Sequence, residues 1–214
     1  MAERKKPSTT NDPAITEGQI SGGLEALLSR AKYAGSGTPP VEKWNPPFCG
    51  DLDMRIARDG LWYYMGTPIG REALVRLFST VLRKDADGKT YLVTPVEKIG
   101  ITVDDAPFVA VEMNVHQKGG TQVLTVRTNV GDAVEIGPDH RLRFTDEDRT
   151  EGVKPYVHIR GRLEALLARP LLYQLVDIGE TRDVDGIAMF GVTSNNMFFP
   201  IMRQDELDRL TDGG

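Results

Sequence analysis

Met54-Arg55-Ile56-Ala57-Arg58-Asp59-Gly60-Leu61-Trp62-Tyr63-Tyr64-Met65 is the stretch on which the fold turns. Two short strand-like runs flank Asp59-Gly60, a pair whose glycine tolerates the positive φ of a tight turn, so residues 54–65 read as a β-hairpin. Thr67-Pro68 follows, a polar cap beside a proline, whose fixed φ and missing N–H suit the first helical position. Leu74, Leu77, Phe78, Val81 and Leu82 then recur at helical spacing, with Arg71, Glu72, Arg76 and Arg83 mostly on the other side. That helix is expected to end before Asp87-Gly88, and residues 91–94 and 99–103 read as strands. The unit runs strand, turn, strand, helix, strand, strand.

The same order returns near the C-terminus. Met54 and Ile56 fall on Val157 and Ile159, 103 positions later. After one deletion in the turn, Leu61, Tyr64, Pro68 and Ile69 fall on Leu163, Leu166, Pro170 and Leu171, 102 positions later. Pro170 opens an expected helix over residues 171–178, and residues 187–190 supply the strand after it. A common register of apolar positions, with a proline before each helix, marks an internal repeat. Between the units, Val109, Val111, Met113 and Val115 alternate with Ala110, Glu112 and Asn114, and Gly119-Gly120 turns the chain. Leu124, Val126, Thr128 and Val130 then alternate with Thr125, Arg127 and Asn129, which predicts an antiparallel hairpin with one buried face. Residues 133–136 and 142–144 add short strands, and residues 146–152 form a charged loop.

The class is therefore α+β: duplicated ββαβ-type units with antiparallel sheets, the C-terminal half curving towards a partial barrel. Residues 1–43 are expected to be a flexible segment with a short amphipathic helix around Leu24, Leu27 and Leu28 and a Gly/Pro linker. Residues 44–103 form the first unit, residues 104–203 the second, β-rich unit with one C-terminal helix, and residues 204–214 a tail.

Composition excludes several functions. The chain has 214 residues, 40% of them hydrophobic, enough to bury about 70% of the surface its unfolded form exposes without covalent staples. A lone cysteine, Cys49, rules out an internal disulfide and a Cys-based zinc finger and suits a reducing, cytoplasmic setting. With 26 basic against 31 acidic residues, a net charge of -5, no basic surplus exists to displace counterions from phosphates, and nucleic acid is not an expected partner. No run approaches the ~18 apolar residues of a membrane span, and no apolar core follows Arg4-Lys5-Lys6 to make a signal peptide. The sequence lacks G-x-S-x-G, G-x-x-x-x-G-K-[ST], H-E-x-x-H and G-x-G-x-x-G, which speaks against an enzyme. His116, His140 and His158 include no i, i+4 pair, so neither a metal nor a cofactor is expected.

Three segments carry the remaining chemistry. Gly66-Thr67-Pro68-Ile69-Gly70-Arg71 places glycines and a cap at an expected helix start, where backbone N–H groups and the helix dipole favour anions and Arg71 adds a bidentate donor. Plain capping is the bland alternative. Arg58 and Arg160, related by the repeat, add charge near a shared groove or are ordinary exposed strand residues, while Trp62, in the Trp62-Tyr63-Tyr64 cluster, offers an aromatic wall or simply fills the core. The ligand-binding set is thus Arg58, Trp62, Thr67, Gly70, Arg71 and Arg160. Cys49, Asp51 and Asp53 follow Trp44-Asn45-Pro46-Pro47-Phe48; they suggest a hydrolase nucleophile or metal pair, weighed against an extended lead-in that covers the core edge.

Residues 44–60 (WNPPFCGDLDMRIARDG), 66–71 (GTPIGR), 74–83 (LVRLFSTVLR), 92–108 (LVTPVEKIGITVDDAPF) and, more loosely, 155–169 (PYVHIRGRLEALLAR) resemble a bacterial domain-of-unknown-function family, number 1285. The resemblance implies a duplicated core, a C-terminal part similar to pleckstrin-homology-like domains, and a small-ligand site between the repeats. A nucleotide-like ligand and a role in signal transduction are implied with it, and no enzymatic activity. The leading expectation is a ligand-sensing module for a small anion. A protein-interaction module using a sheet edge around residues 123–130 is the alternative.

Overall fold

The computed structural model describes residue 29, residues 38–145 and residues 152–212. The helix and most of the linker expected before Thr38, and most of the charged loop at 146–152, lie outside the described residues. The first unit contains β1 (Phe48–Ile56), β2 (Trp62–Tyr64), β3 (Thr67–Pro68), α1 (Glu72–Thr80), β4 (Leu82–Lys84), β5 (Thr90–Val93) and β6 (Lys98–Val103). The second begins with β7 (Phe108–Lys118), β8 (Thr121–Thr128), β9 (Ala133–Glu135) and β10 (Leu142–Thr145). It continues with β11 (Lys154–Arg160), β12 (Leu163–Leu167), α2 (Arg169–Asp177), β13 (Glu180–Val184), β14 (Ile187–Ser194), β15 (Met197–Arg203) and α3 (Gln204–Asp212). The strands make two six-stranded mixed sheets, ordered β3-β2-β1-β6-β5-β4 and β10-β11-β12-β7-β8-β9, one of them curling into a half-barrel, and a three-stranded sheet β13-β14-β15.

The hairpin forms as its sequence dictates. Met54 pairs with Tyr64 and Ile56 with Trp62, the Ala57 N–H donates to the Leu61 carbonyl at 2.9 Å, and all four paired side chains are buried. Period-two alternation puts them on the face covered by α1, where Trp62 stacks on Phe78 with ring centroids 6.2 Å apart.

Thr67-Pro68 does not open the helix. It adds a two-residue edge strand to β2, Thr67 opposite Tyr64 and Pro68 opposite Tyr63, an edge position a proline accepts because it has no N–H to donate. Arg71 is the N-cap, and its carbonyl receives the N–H groups of Leu74 at 2.9 Å and Val75 at 3.2 Å. The helix also stops early: Leu82, read as its last apolar position, belongs to β4, where it pairs with Leu92 and is fully buried.

The duplication is present with a different register. Met54 and Ile56 correspond to Val157 and Ile159, buried in equivalent hairpins. Beyond the turn, however, Leu61 is 52% exposed while Leu163 is buried, so the buried Trp62 and Tyr64 are the partners of Leu163 and Ala165, 101 positions on. The first unit then has four extra residues where β3 lies. From there α1 and α2 match at 97 positions: Leu74 and Phe78 face the core as Leu171 and Leu175 do. The carbonyls of Arg71 and Ala168 cap the same pair of N–H groups. Pro68 and Pro170 are therefore not equivalent, since only Pro170 lies in the first turn of a helix.

In β7 the expected alternation breaks. A bulge between Ala110 and Glu112 shifts the register against β8, so Val111 is exposed between buried Ala110 and buried Met113; an extra residue reverses which parity faces the core. Each six-stranded sheet also contains one parallel pairing, β1 with β6 and β12 with β7, which local hairpin signals do not encode. The three-stranded sheet docks on β8 through buried Ser194, whose Oγ accepts the Leu124 N–H at 2.9 Å and donates to the Ile136 carbonyl at 2.7 Å. The stretch read as a C-terminal tail holds α3, a polar helix supported by i, i+4 pairs such as Arg209 with Asp205 at 2.8 Å rather than by an apolar stripe.

Val41, in a short 3-10 helix (Val41–Lys43), is buried beside the edge of the first sheet. Arg83 Nη1 donates to the carbonyls of Val41 (2.9 Å) and Trp44 (2.7 Å), its Nε donates to Asp85 Oδ1 at 2.6 Å, and Lys98 Nζ donates to Asp85 Oδ2 at 3.1 Å. Burial disfavours the Asp85 carboxylate, but the hydrogen bonds from Arg83 and Lys98 outweigh it and hold the carboxyl below its ordinary value. A depressed native value means that the unfolded chain binds more protons, so this contribution to stability is complete above the ordinary carboxylate range and is lost as pH falls from there through the lower native value. Urea denaturation between pH 6 and pH 3 should show an acid-induced loss that flattens in Asp85→Asn; an unchanged slope would remove Asp85 from the acid response.

Candidate functional site

A cleft of ≈ 710 Å³ opens where the two units meet, within the range of about 300–1,000 Å³ typical of small-molecule sites. The first unit contributes the β1–β2 turn through Arg58 and Asp59. The second contributes Val109 of β7, residues 152–155 leading into β11, the end of β12 at Leu166, Leu167 and Ala168, and Arg169, Leu172 and Tyr173 of α2.

Asn129 fastens the turn to the second unit. Its Nδ2 donates to the Gly60 carbonyl at 3.3 Å and its Oδ1 accepts the Val109 N–H at 3.1 Å. Gly60 has φ 83°, and a Cβ there would stand 2.6 Å from Asn129 Nδ2. Only glycine allows both that backbone conformation and this approach. Asp59 Oδ1 accepts the Leu61 N–H at 3.0 Å, an Asx-type contact that fixes the turn carrying Arg58.

The cleft is amphipathic. Val109 and Leu167 are buried, Leu166 and Leu172 half-buried and Tyr173 56% exposed, so the apolar floor is only partly covered. Around it stand Arg58, Lys154 and Arg169. Lys154 Nζ lies 3.7 Å from Asp105 Oδ2, whose Oδ1 accepts the Tyr156 hydroxyl at 2.7 Å. Arg169 Nε donates to Tyr173 Oη at 3.2 Å, a contact between two side chains of α2 that both line the cleft. The Ala168 N–H donates to the Ala110 carbonyl at 2.9 Å, anchoring the start of α2 to β7; no side chain caps that first turn.

Of the six residues expected to bind ligand, Arg58 alone lines this cleft. Trp62 is 1% exposed and serves the core. Thr67 is in β3, Gly70 and Arg71 are exposed at the approach to α1, and none of the three is brought to the cleft. The expected anion cradle at 66–71 does not form as drawn, because Thr67-Pro68 pairs in the sheet and the Ile69 N–H donates to the Trp62 carbonyl at 2.7 Å. Arg160 is a tie between the units: Nη1 donates to Asp132 Oδ2 and Nη2 to the Ser79 carbonyl of α1, both at 2.7 Å, and its guanidinium lies 4.9 Å from the Phe108 ring centre.

Cys49 Sγ has the Pro47 carbonyl 3.6 Å away as its hydrogen-bond partner, a group that cannot take a proton from it. The Asp51 carboxylate lies over Gly100, where a Cβ would come 2.0 Å from Oδ1. Among the described residues no group of three His, Cys, Asp or Glu side chains is arranged to hold a metal ion. Sequence reasoning missed Lys154, Arg169, Leu166, Leu172 and Tyr173. Arg169 had a signal, since it directly precedes the proline that marks the start of α2. Lys154 had none, because its place at the cleft depends on β11 lying beside β12, which in turn pairs with β7.

Residues 39–106 match the family described as a domain of unknown function (DUF1285), N-terminal domain. Residues 107–201 match the C-terminal domain of the DUF1285 proteins of unknown function. A DUF1285 family protein from Silicibacter pomeroyi DSS-3 has a crystal structure that aligns with a TM-score of 0.78 at 50% identity, over 86% of this chain and 98% of that one. A DUF1285 family protein from Shewanella baltica OS155 aligns with a TM-score of 0.46 at 25% identity, over 57% of this chain and 89% of that one. No curated protein matches the chain.

Proposed function

We propose that this chain, which belongs to the DUF1285 family, is a non-catalytic ligand-binding module that takes a small anion in the cleft between its two units. The observation behind the reading is the cleft itself, with three cationic side chains, Arg58, Lys154 and Arg169, set around a half-covered apolar floor. Guanidinium groups bind carboxylate and phosphate oxygens with paired, charge-assisted hydrogen bonds, and apolar contact supplies the remaining affinity. Because one wall belongs to the first unit and the rest to the second, a bound ligand bridges them, which is the arrangement a sensor needs. A cytoplasmic setting and a place in bacterial signal transduction complete the proposal. Among the described residues no helix is long and apolar enough to cross a membrane.

A docking edge around residues 123–130 gains no support, because β8 is paired on both sides, by β7 and by β9. Thermal denaturation with a panel of nucleotides, carboxylates and inorganic phosphate tests the ligand reading. A ligand at one hundred times its dissociation constant should add about 2.7 kcal/mol of stability. No shift with any member of the panel overturns the proposal.

A further inference from the structure

We infer that His158 is a proton-operated clasp between the β9–β10 turn and the β11–β12 turn, closed when its ring carries a proton on both nitrogens. Its Nδ1 lies 2.9 Å from the Asp139 carbonyl oxygen and its Nε2 2.9 Å from that of Gly161. A carbonyl oxygen only accepts, so each of these bonds requires an N–H on the ring. A neutral imidazole has one N–H, and its other nitrogen would turn a lone pair on a carbonyl oxygen. Only the doubly protonated ring closes both bonds. His158, Asp139 and Gly161 all lie outside the cleft lining, so the clasp works apart from ligand binding.

The groups around the ring are compatible with one positive charge on it. His140, from the β9–β10 turn, stacks on His158 with ring centroids 5.7 Å apart, and its Nδ1 donates to the His158 carbonyl at 3.0 Å. That bond needs a single N–H, which a neutral ring supplies, so the stacked pair holds one charge and not two. Glu164 of β12 stands opposite His158 in the ladder, but Arg143 of β10 binds both its oxygens, at 2.7 and 2.6 Å. Glu42 sets a carboxylate against Gly161, where a Cβ would come 2.3 Å from its Oε1. Arg160 is committed to Asp132 and the Ser79 carbonyl, and the side chains of Asp139, Arg141 and Arg162 are exposed. Both gripped turns sit at joints of the fold. The Ile136 carbonyl, where the β9–β10 turn starts, receives Ser194 Oγ at 2.7 Å and Asn195 Nδ2 at 2.8 Å from the three-stranded sheet. Arg160, beside Gly161, ties β11 to α1. Loss of the second ring proton leaves one of these turns without its donor.

Ring NMR and amide hydrogen exchange of the full chain at about pH 5 and about pH 8, on either side of the ~6.5 of a free histidine, test the clasp. At the lower pH both His158 ring N–H protons should be visible, each held from exchange with water by its carbonyl, and at the higher pH only one. Amides of the two turns should be about three- to tenfold better protected at the lower pH, after correction for intrinsic exchange, as expected for one hydrogen bond to a partly exposed charged group. His158→Gln, whose amide N–H group reaches only one carbonyl, should show the weaker protection at both pH values, while His140→Gln should keep the pH dependence. Absence of either ring N–H signal at the lower pH overturns the inference, and so does protection that does not change with pH. A pH dependence kept in His158→Gln and lost in His140→Gln assigns the titration to His140 and overturns it too. Should His158→Gln fail to fold, the ring signals of the parent chain decide alone.

Discussion

Phe78→Ala should cost about 3–5 kcal/mol, the range for removing a fully buried aromatic side chain and leaving part of its volume empty. Phe78 is 0% exposed and its ring stacks on Trp62, itself 1% exposed, so truncation strips partners from two aromatic groups at once. Trp62 cannot swing into the gap without giving up its place in β2, where it pairs with Ile56. The equivalent Leu175→Ala removes a smaller side chain that is also fully buried and should cost about 2–5 kcal/mol. Urea denaturation of both variants checks this through the midpoint, with an unchanged slope showing that the native state stays compact. A loss below about 1 kcal/mol for Phe78→Ala would mean that the first unit repacks freely around Trp62 and that Phe78 is not a fixed part of its core.

That pair of residues also shows what the sequence reveals and where it misleads. Apolar periodicity located both helices and both hairpins, because Leu74 with Phe78 and Leu171 with Leu175 must face the core whatever else surrounds them. The proline at each helix start misled the register. Pro68 and Pro170 both read as prolines opening a helix, yet one sits in an edge strand and the other in a helical turn, and only the tertiary pairing of β3 with β2 decides between them. Val111 shows the same limit: alternation predicts it buried, and a bulge whose existence depends on the partner strand turns it out to solvent.

The candidate site was less legible for a related reason. Arg58 is legible because it sits beside a turn whose sequence is diagnostic. Arg71 reads as a ligand group because glycines and a cap suggest a helix start at Thr67-Pro68, whereas the helix begins after Arg71 itself. The cleft is assembled by one parallel pairing, Leu166 beside Val109 across β12 and β7, between residues 57 positions apart. No local pattern encodes a contact at that separation, so the apolar floor and Lys154 become legible only once the sheets are in place. The duplication supplies the frame, and its two copies diverge at the cleft.

Arg160 gives the sharpest separation between a binding role and a structural one. Its guanidinium joins Asp132 of the second unit to the Ser79 carbonyl at the end of α1 and covers the Phe108 ring. Its side chain is 20% exposed and that of Asp132 28%, so solvent screens the pair in part, and the loss on Arg160→Ala should lie near the bottom of the buried-pair range, about 2–3 kcal/mol. Lysine should restore little of it, because a single ammonium on a flexible stem cannot reproduce the fork that reaches both oxygens. A double-mutant cycle with Asp132→Ala should give a coupling of at least 0.5 kcal/mol, as for residues in one hydrogen-bonded network. At a temperature where Arg160→Ala remains folded, its affinity for a cleft ligand should match that of the parent chain, since Arg160 lies outside the cleft lining. The opposite pattern, unchanged stability with binding lost, would return Arg160 to the ligand set and place the site between α1 and the β11–β12 turn instead.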